Sequence, residues 1–150
     1  MHLFRRVCFL SISLLLLAGR LQSASAQQLF PANAGDRARY SAYIEMPKAY
    51  ISGVCIMLND GEEIKGSLFN EFGISSLSFT YSIAKDKVKL HDVIPMMDKW
   101  YIRRVLRKDL RQLLHCLQDG QSSYKNERYQ IVYHFTLLNE TNDEQHETTE

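Results

Sequence analysis

A chain of 150 residues and 17.4 kDa has room for one domain. With 45% hydrophobic and 23% charged residues, 7 Gly, 3 Pro and 3 Cys, it is not disordered throughout, not collagen-like and not a disulfide scaffold. A formal net charge of +1 gives no global reason to expect nucleic acid as a partner.

Residues 1–26 read MHLFRRVCFLSISLLLLAGRLQSASA. Arg5 and Arg6 form a positive head, Val7 to Gly19 is apolar apart from Ser11 and Ser13, and Ala24-Ser25-Ala26 is a small-residue cleavage pattern. The apolar run falls short of the roughly 20 residues that a spanning helix needs. The segment therefore reads as a cleaved, Sec-type secretory leader, and the expected location is the periplasm or the exterior. Cys8 follows Arg5-Arg6-Val7, which is not a lipobox, so no lipid anchor is expected there. Without the leader the chain carries 15 basic and 17 acidic residues. The last stretch, residues 139–150, holds five acids and no Lys or Arg, and is expected to be a disordered acidic tail. One domain is expected over residues 27–138.

After an irregular lead-in at residues 27–36, Ala38, Tyr40, Ala42, Ile44 and Met46 alternate along Arg37 to Met46 and predict a strand. Tyr50 to Leu58 is apolar on both faces, as in a central strand. Asn59-Asp60-Gly61 signals a hairpin. A third strand is predicted from Glu62 to Phe72, with Ile64, Leu68 and Phe72 together, and Gly73 turns the chain. Ser76 to Ile83 alternates Leu77, Phe79, Tyr81 and Ile83 against serines and a threonine, and Lys87 to Ile94 gives a fifth strand. Such a meander predicts an antiparallel sheet.

A helix is predicted from about Asp98 to Gln118, with Asp98 as N-cap and Gly120 just past its end. Ile102, Leu106, Leu110, Leu113 and Leu117 recur at helical spacing. Arg104, Arg107, Lys108, Arg111 and His115 fall on the opposite side, and Asp109 sits at the edge of the apolar stripe. Tyr129 to Leu138 is the last strand. The expected fold is α+β: a curled antiparallel meander of about six strands, half-barrel-like, with one amphipathic helix packed across it.

Motifs that carry chemistry are absent from the sequence: no phosphate loop, nucleophile elbow, Cys-x-x-Cys or His-Glu-x-x-His. Cys55 and Cys116 follow the leader and read equally as a disulfide or as two small buried thiols. His91, Asp92 and His134 do not converge as metal ligands should. No catalytic residue, metal or cofactor is expected, and the protein reads as a non-enzyme. Two features invite partners. The basic helix face reads first as an ordinary solvated face, and it also suits an anionic membrane surface or an envelope protein. The aromatic load at Phe69, Phe72, Phe79, Tyr81, Trp100 and Tyr101 leaves room for an apolar pocket where one helix covers a broad sheet incompletely.

The segment Tyr50 to Ile94, YISGVCIMLNDGEEIKGSLFNEFGISSLSFTYSIAKDKVKLHDVI, resembles the bacterial lipoprotein-carrier and outer-membrane lipoprotein-receptor superfamily, and also small secreted proteins of the Bacteroidetes type. The chain departs from those carriers in lacking their extra N-terminal helix and additional strands, and the receptors' lipobox. The resemblance implies that the concave sheet face holds acyl chains and that there are no catalytic residues. Carried onto this chain, the lining is Phe72, Phe79, Tyr81 and Trp100. Two readings result: a periplasmic binding module that shelters an apolar group such as a lipid acyl chain, and an envelope interaction module with a filled core.

Overall fold

A computed structural model of the protein describes residues 28–138. The expected leader and acidic tail lie outside them. The elements are β1 (Arg37–Met46), β2 (Ala49–Asn59), β3 (Glu63–Phe69), β4 (Ser75–Ser82), β5 (Lys87–Val93), a 3-10 turn (Pro95–Met97), α1 (Trp100–Gln118), β6 (Ser123–Asn126) and β7 (Ile131–Leu137). All seven strands form one curled antiparallel half-barrel in the order β5-β4-β3-β2-β1-β7-β6, with α1 packed against it.

The fold class is as the sequence predicts, and β1 and β5 begin where expected. Several details differ. The fourth strand ends at Ser82, so Ile83 falls in the turn and is exposed rather than inward. The third strand stops at Phe69, because the Asn70 side chain captures the chain: its Oδ1 accepts from the amides of Phe72 (3.0 Å) and Ile74 (2.9 Å). Such a side-chain turn competes directly with the ladder. Phe72 thus stands in a loop rather than on the strand's inner face. The N-cap falls one residue later than predicted, at Lys99, with no side-chain cap. Asp98 instead binds the Arg103 guanidinium at 2.7 Å. β6 is a seventh strand that the sequence reading lacks. Finally, Tyr129 lies in the turn before β7 and is exposed.

The core fills the concave side. Tyr40, Ile44, Cys55, Met57, Ile64, Leu68, Leu77, Phe79, Tyr133 and Phe135 from the sheet meet Leu106, Leu110, Leu113, Leu114 and Leu117 of α1, all buried. Gly66 lies directly opposite Phe79 in the ladder, and a Cβ at Gly66 would run into the Phe79 ring, so the ring lies over the glycine. At Gly53 a Cβ would collide with the Phe69 carbonyl, which lets β2 pass close beneath the end of β3.

The antiparallel order gives the half-barrel two ends. At one, here the entry end because α1 begins there, lie the turn at 47–48, the loop at 70–74, the segment at 94–99 and the turn at 127–130. At the other, the exit end, lie the lead-in at 28–36, the turns at 60–62 and 83–86, and the end of α1. The register fixes this: His115, late in α1, reaches Asp86 in the β4–β5 turn at 2.8 Å.

Candidate functional site: the basic face of the helix and its flanking clefts

The leucine stripe turns the opposite side of α1 outward. Arg104, Arg107 and Lys108 are exposed on it, and Arg111 is half-buried. Two open clefts flank this face. One, of about 350 Å³, lies between α1 and the β6–β7 hairpin; Arg104, Lys108, Arg111 and Arg128 bring four cations to it, with Tyr124 and Tyr129 beside them. The other, of about 260 Å³, lies toward the β4–β5 turn, where Lys87 and Arg107 join Arg104, Lys108 and Arg111. A third surface groove continues along β5 past Lys85, Lys87 and Lys89. Lys87 and Lys89, two residues apart on the edge strand β5, both face solvent, and Lys85 precedes them in the β4–β5 turn.

Few acids answer these charges. Among the described residues, Arg104, Arg107, Lys108 and Arg128 have no carboxylate within ion-pair distance. The Arg128 guanidinium instead lies 5.4 Å from the centre of the Tyr129 ring. Arg111 approaches Asp86 only at 3.9 Å, and its buried Nε has no hydrogen-bond partner.

Two carboxylates organise the surroundings. Asp86, with φ +48°, is in the left-handed region that Asp tolerates in turns. Its Oδ1 accepts from the Tyr81 hydroxyl at 3.0 Å and lies 2.8 Å from His115 Nε2. The His115 hydrogen bond, with help from Tyr81 and Arg111, holds the Asp86 carboxyl below its usual range. Burial, reinforced by Asp86, pushes the Tyr81 hydroxyl up to about 12. This cluster ties the β4–β5 turn to the helix. Asp109 is buried on the sheet side of α1, where Asn126 Nδ2 (2.7 Å) and the Tyr133 hydroxyl (2.9 Å) donate to it. Burial raises its pKa, against the pull of those two donors. Asp109 anchors β6 and β7 to α1 and so builds one wall of the larger cleft.

The four aromatic residues expected to line an acyl-chain site are not gathered into one place. Phe79 and Tyr81 are 2% and 3% exposed, packed in the core beneath α1. Phe72 and Trp100 are 77% and 75% exposed, on the 70–74 loop and at the start of α1. Phe72 lines an open groove of about 620 Å³ with Tyr50, Ile51 and Ile94, and none of the other three aromatics joins it there. Cys55 is buried and Cys116 half-buried, both as free thiols, with Cys55 pushed up to about 12 by burial. His91 and Asp92 pair across the strands, with Thr80 Oγ1 at 2.7 Å and with Ser78 Oγ at 2.9 Å. Among the described residues no three His, Cys, Asp or Glu side chains converge as a metal site would require, and no helix is long and apolar enough to cross a membrane.

The helix part of the basic face is legible in the periodicity of residues 104–115. Lys87 and Arg128 are not, because they come from a turn-flanking strand and a hairpin that only the tertiary structure brings beside α1. Comparison with protein-family models, with curated proteins and with solved structures finds no match to this chain.

Proposed function

We propose that the protein is a non-enzymatic interaction module of the cell envelope, and that it binds an anionic partner through the outer face of α1. The single observation behind this reading is the set of cations at Arg104, Arg107, Lys108, Arg111, Lys87 and Arg128, which share two clefts with Asp86 and the buried Asp109 as their only acids. Uncompensated like charges repel one another, and a fold that keeps them side by side gains when an anion arrives. The alternative, an acyl chain held inside the sheet, needs an open concave face. Here the inner aromatic residues pack against the helix leucines, which favours contact at the surface.

The test is binding of heparin, a soluble polyanion, by the chain from Gln27 onward. Retention should fall steeply with added salt, because exposed charge interactions are screened within about 8–10 Å. The double change Arg107→Glu and Lys108→Glu should release the protein at markedly lower salt, whereas Arg37→Glu, exposed at the start of β1, should not. Equal retention of the two variants would remove α1 as the contact.

A further inference from the structure

The exposed apolar residues are not scattered. Among the described residues, Tyr50, Phe72, Ile74, Met96, Trp100, Tyr101 and Tyr129 are the large apolar side chains exposed by 45–77%, and every one of them lies at the entry end. The remaining exposed ones, Leu58, Ile83 and Leu138, reach only 37–42% and lie toward the exit end. The groove beside Phe72 joins Tyr50 to Ile94, and the chain runs on from Ile94 through Met96 to Trp100 and Tyr101. Trp100 and Tyr101 stand edge to face with centres 5.9 Å apart.

This apolar end meets the basic face at the first turn of α1. Trp100, Arg104, Arg107 and Arg111 follow one another at helical spacing, so the exposed Trp heads the same outer stripe as the arginines. At a lipid–water interface aromatic rings settle at headgroup level, and basic residues beside them are drawn to anionic headgroups. Charge complementarity chooses the occupant: a bilayer of anionic phospholipid offers an apolar layer and a negative surface at adjoining depths, as the protein offers an aromatic end and a basic face. Of the acids at this end, Asp98 is engaged by Arg103 and Glu127 is paired with Lys125, while Glu45 and Glu71 are exposed without an ion pair and are outnumbered by Arg104, Arg107, Lys108 and Arg128.

We propose that the aromatic end and the basic helix face form one docking surface for an anionic phospholipid bilayer, entered by Phe72, Ile74, Met96 and Trp100. The proposal rests on the reading that the helix face meets an anionic partner, and it names that partner as membrane rather than protein.

The experiment is cosedimentation of the chain from Gln27 onward with vesicles of phosphatidylglycerol and phosphatidylcholine, and with vesicles of phosphatidylcholine alone. Trp100 is the only Trp in the chain, so its fluorescence reports the end directly. With the anionic vesicles the protein should sediment, and Trp100 emission should shift to the blue and be quenched by lipids brominated near the headgroup. Arg104→Glu should weaken binding about fivefold or more, from about 1 kcal/mol for each basic residue near an anionic surface. The pair Phe72→Ser and Ile74→Ser should weaken it further, while circular dichroism stays that of the unmodified protein, since both side chains are exposed. No sedimentation with anionic vesicles, or sedimentation with unchanged Trp100 emission, overturns the proposal. If heparin is retained while vesicles are not, the anionic-partner reading stands and the membrane falls.

Discussion

The two ends of the half-barrel use similar turns and finish them differently. At the exit end, Asn59, the last residue of β2, is buried, donates to the Pro31 carbonyl at 2.8 Å and accepts from the Gly61 amide at 2.8 Å. Asp60 pairs with Lys65 at 2.9 Å, and Asp86 holds Tyr81 and His115. Polar side chains there close the end and fasten the lead-in over it. At the entry end, Asn70 organises the 70–74 loop just as fully, but what the loop presents is Phe72 and Ile74. Well-formed hydrogen bonding beneath exposed rings shows that the end is not poorly folded. The backbone is satisfied while the apolar surface is left without a cover, and such surface is what binding sites are made of.

Four measurements break or sharpen this contrast. The largest effect belongs to neither end. Leu113→Ala, in the layer that α1 shares with the sheet, should cost about 2–5 kcal/mol in a urea melt, because the side chain is fully buried. A loss no larger than that of an exposed-site change would mean that α1 does not hold the core.

Next come the two asparagines. Asn59→Ala leaves the Pro31 carbonyl without its donor in a buried place and should cost about 1–3 kcal/mol. Asn70→Ala frees two amides into water and should cost less, since its bonds are exposed. The reverse order in paired melts would overturn the assignment of the exit end as the fastened one.

The third is a pH profile. The folded Asp86 carboxyl titrates below its ordinary range, so its contribution is complete above the unfolded value, about 4, and is lost as pH falls through the folded value. Asp86→Asn keeps a residue that tolerates positive φ and removes the charge. The variant should be the less stable at pH near 7, and the gap should narrow as pH falls below the ordinary carboxylate range in parallel melts. A gap independent of pH would show that the Asp86 charge does not fasten the turn to His115.

The smallest effect is expected where the exposed surface is largest. Phe72→Ser with Ile74→Ser should move stability by no more than about 0.5 kcal/mol, as exposed positions do. A loss near that of Leu113→Ala would place these side chains in the fold rather than at a contact.

Much of this architecture is legible in the sequence, because period-two and helical spacing report which face meets a core. Tyr40, Ala42 and Ile44 of β1, and Leu106, Leu110, Leu113 and Leu117 of α1, are buried as their spacing predicts. Asp109 at the edge of the stripe already marks a polar group drawn inward. The illegible parts are those fixed by a single local competition or by a neighbour distant in sequence. Phe72 fits the alternation of β3, and only the capture of the 72 and 74 amides by Asn70 removes it from the strand. Ser123–Asn126 is too short and polar to announce a strand, and is one because β7 and Asp109 lie beside it. Trp100 and Phe72 are large and apolar, properties that in a sequence read as core; their exposure becomes visible only when the whole end is assembled.

The position of β7 has a consequence for the order in which the molecule comes together. From β1 to β5 each strand pairs with the next, so those ladders close over short loops. β1 takes its other neighbour from β7, with Tyr40 facing Leu137 and Glu45 facing Val132, across nearly the whole described chain. Until that last strand arrives, β1 is an unpaired edge carrying Tyr40, Ala42 and Ile44, a template for association with other chains. A chain cut short before Ile131 would lose more than a terminus: a strand from the middle of the sheet would stand open. Completion of the sheet therefore waits for β7, the most distant of its strands in sequence from β1.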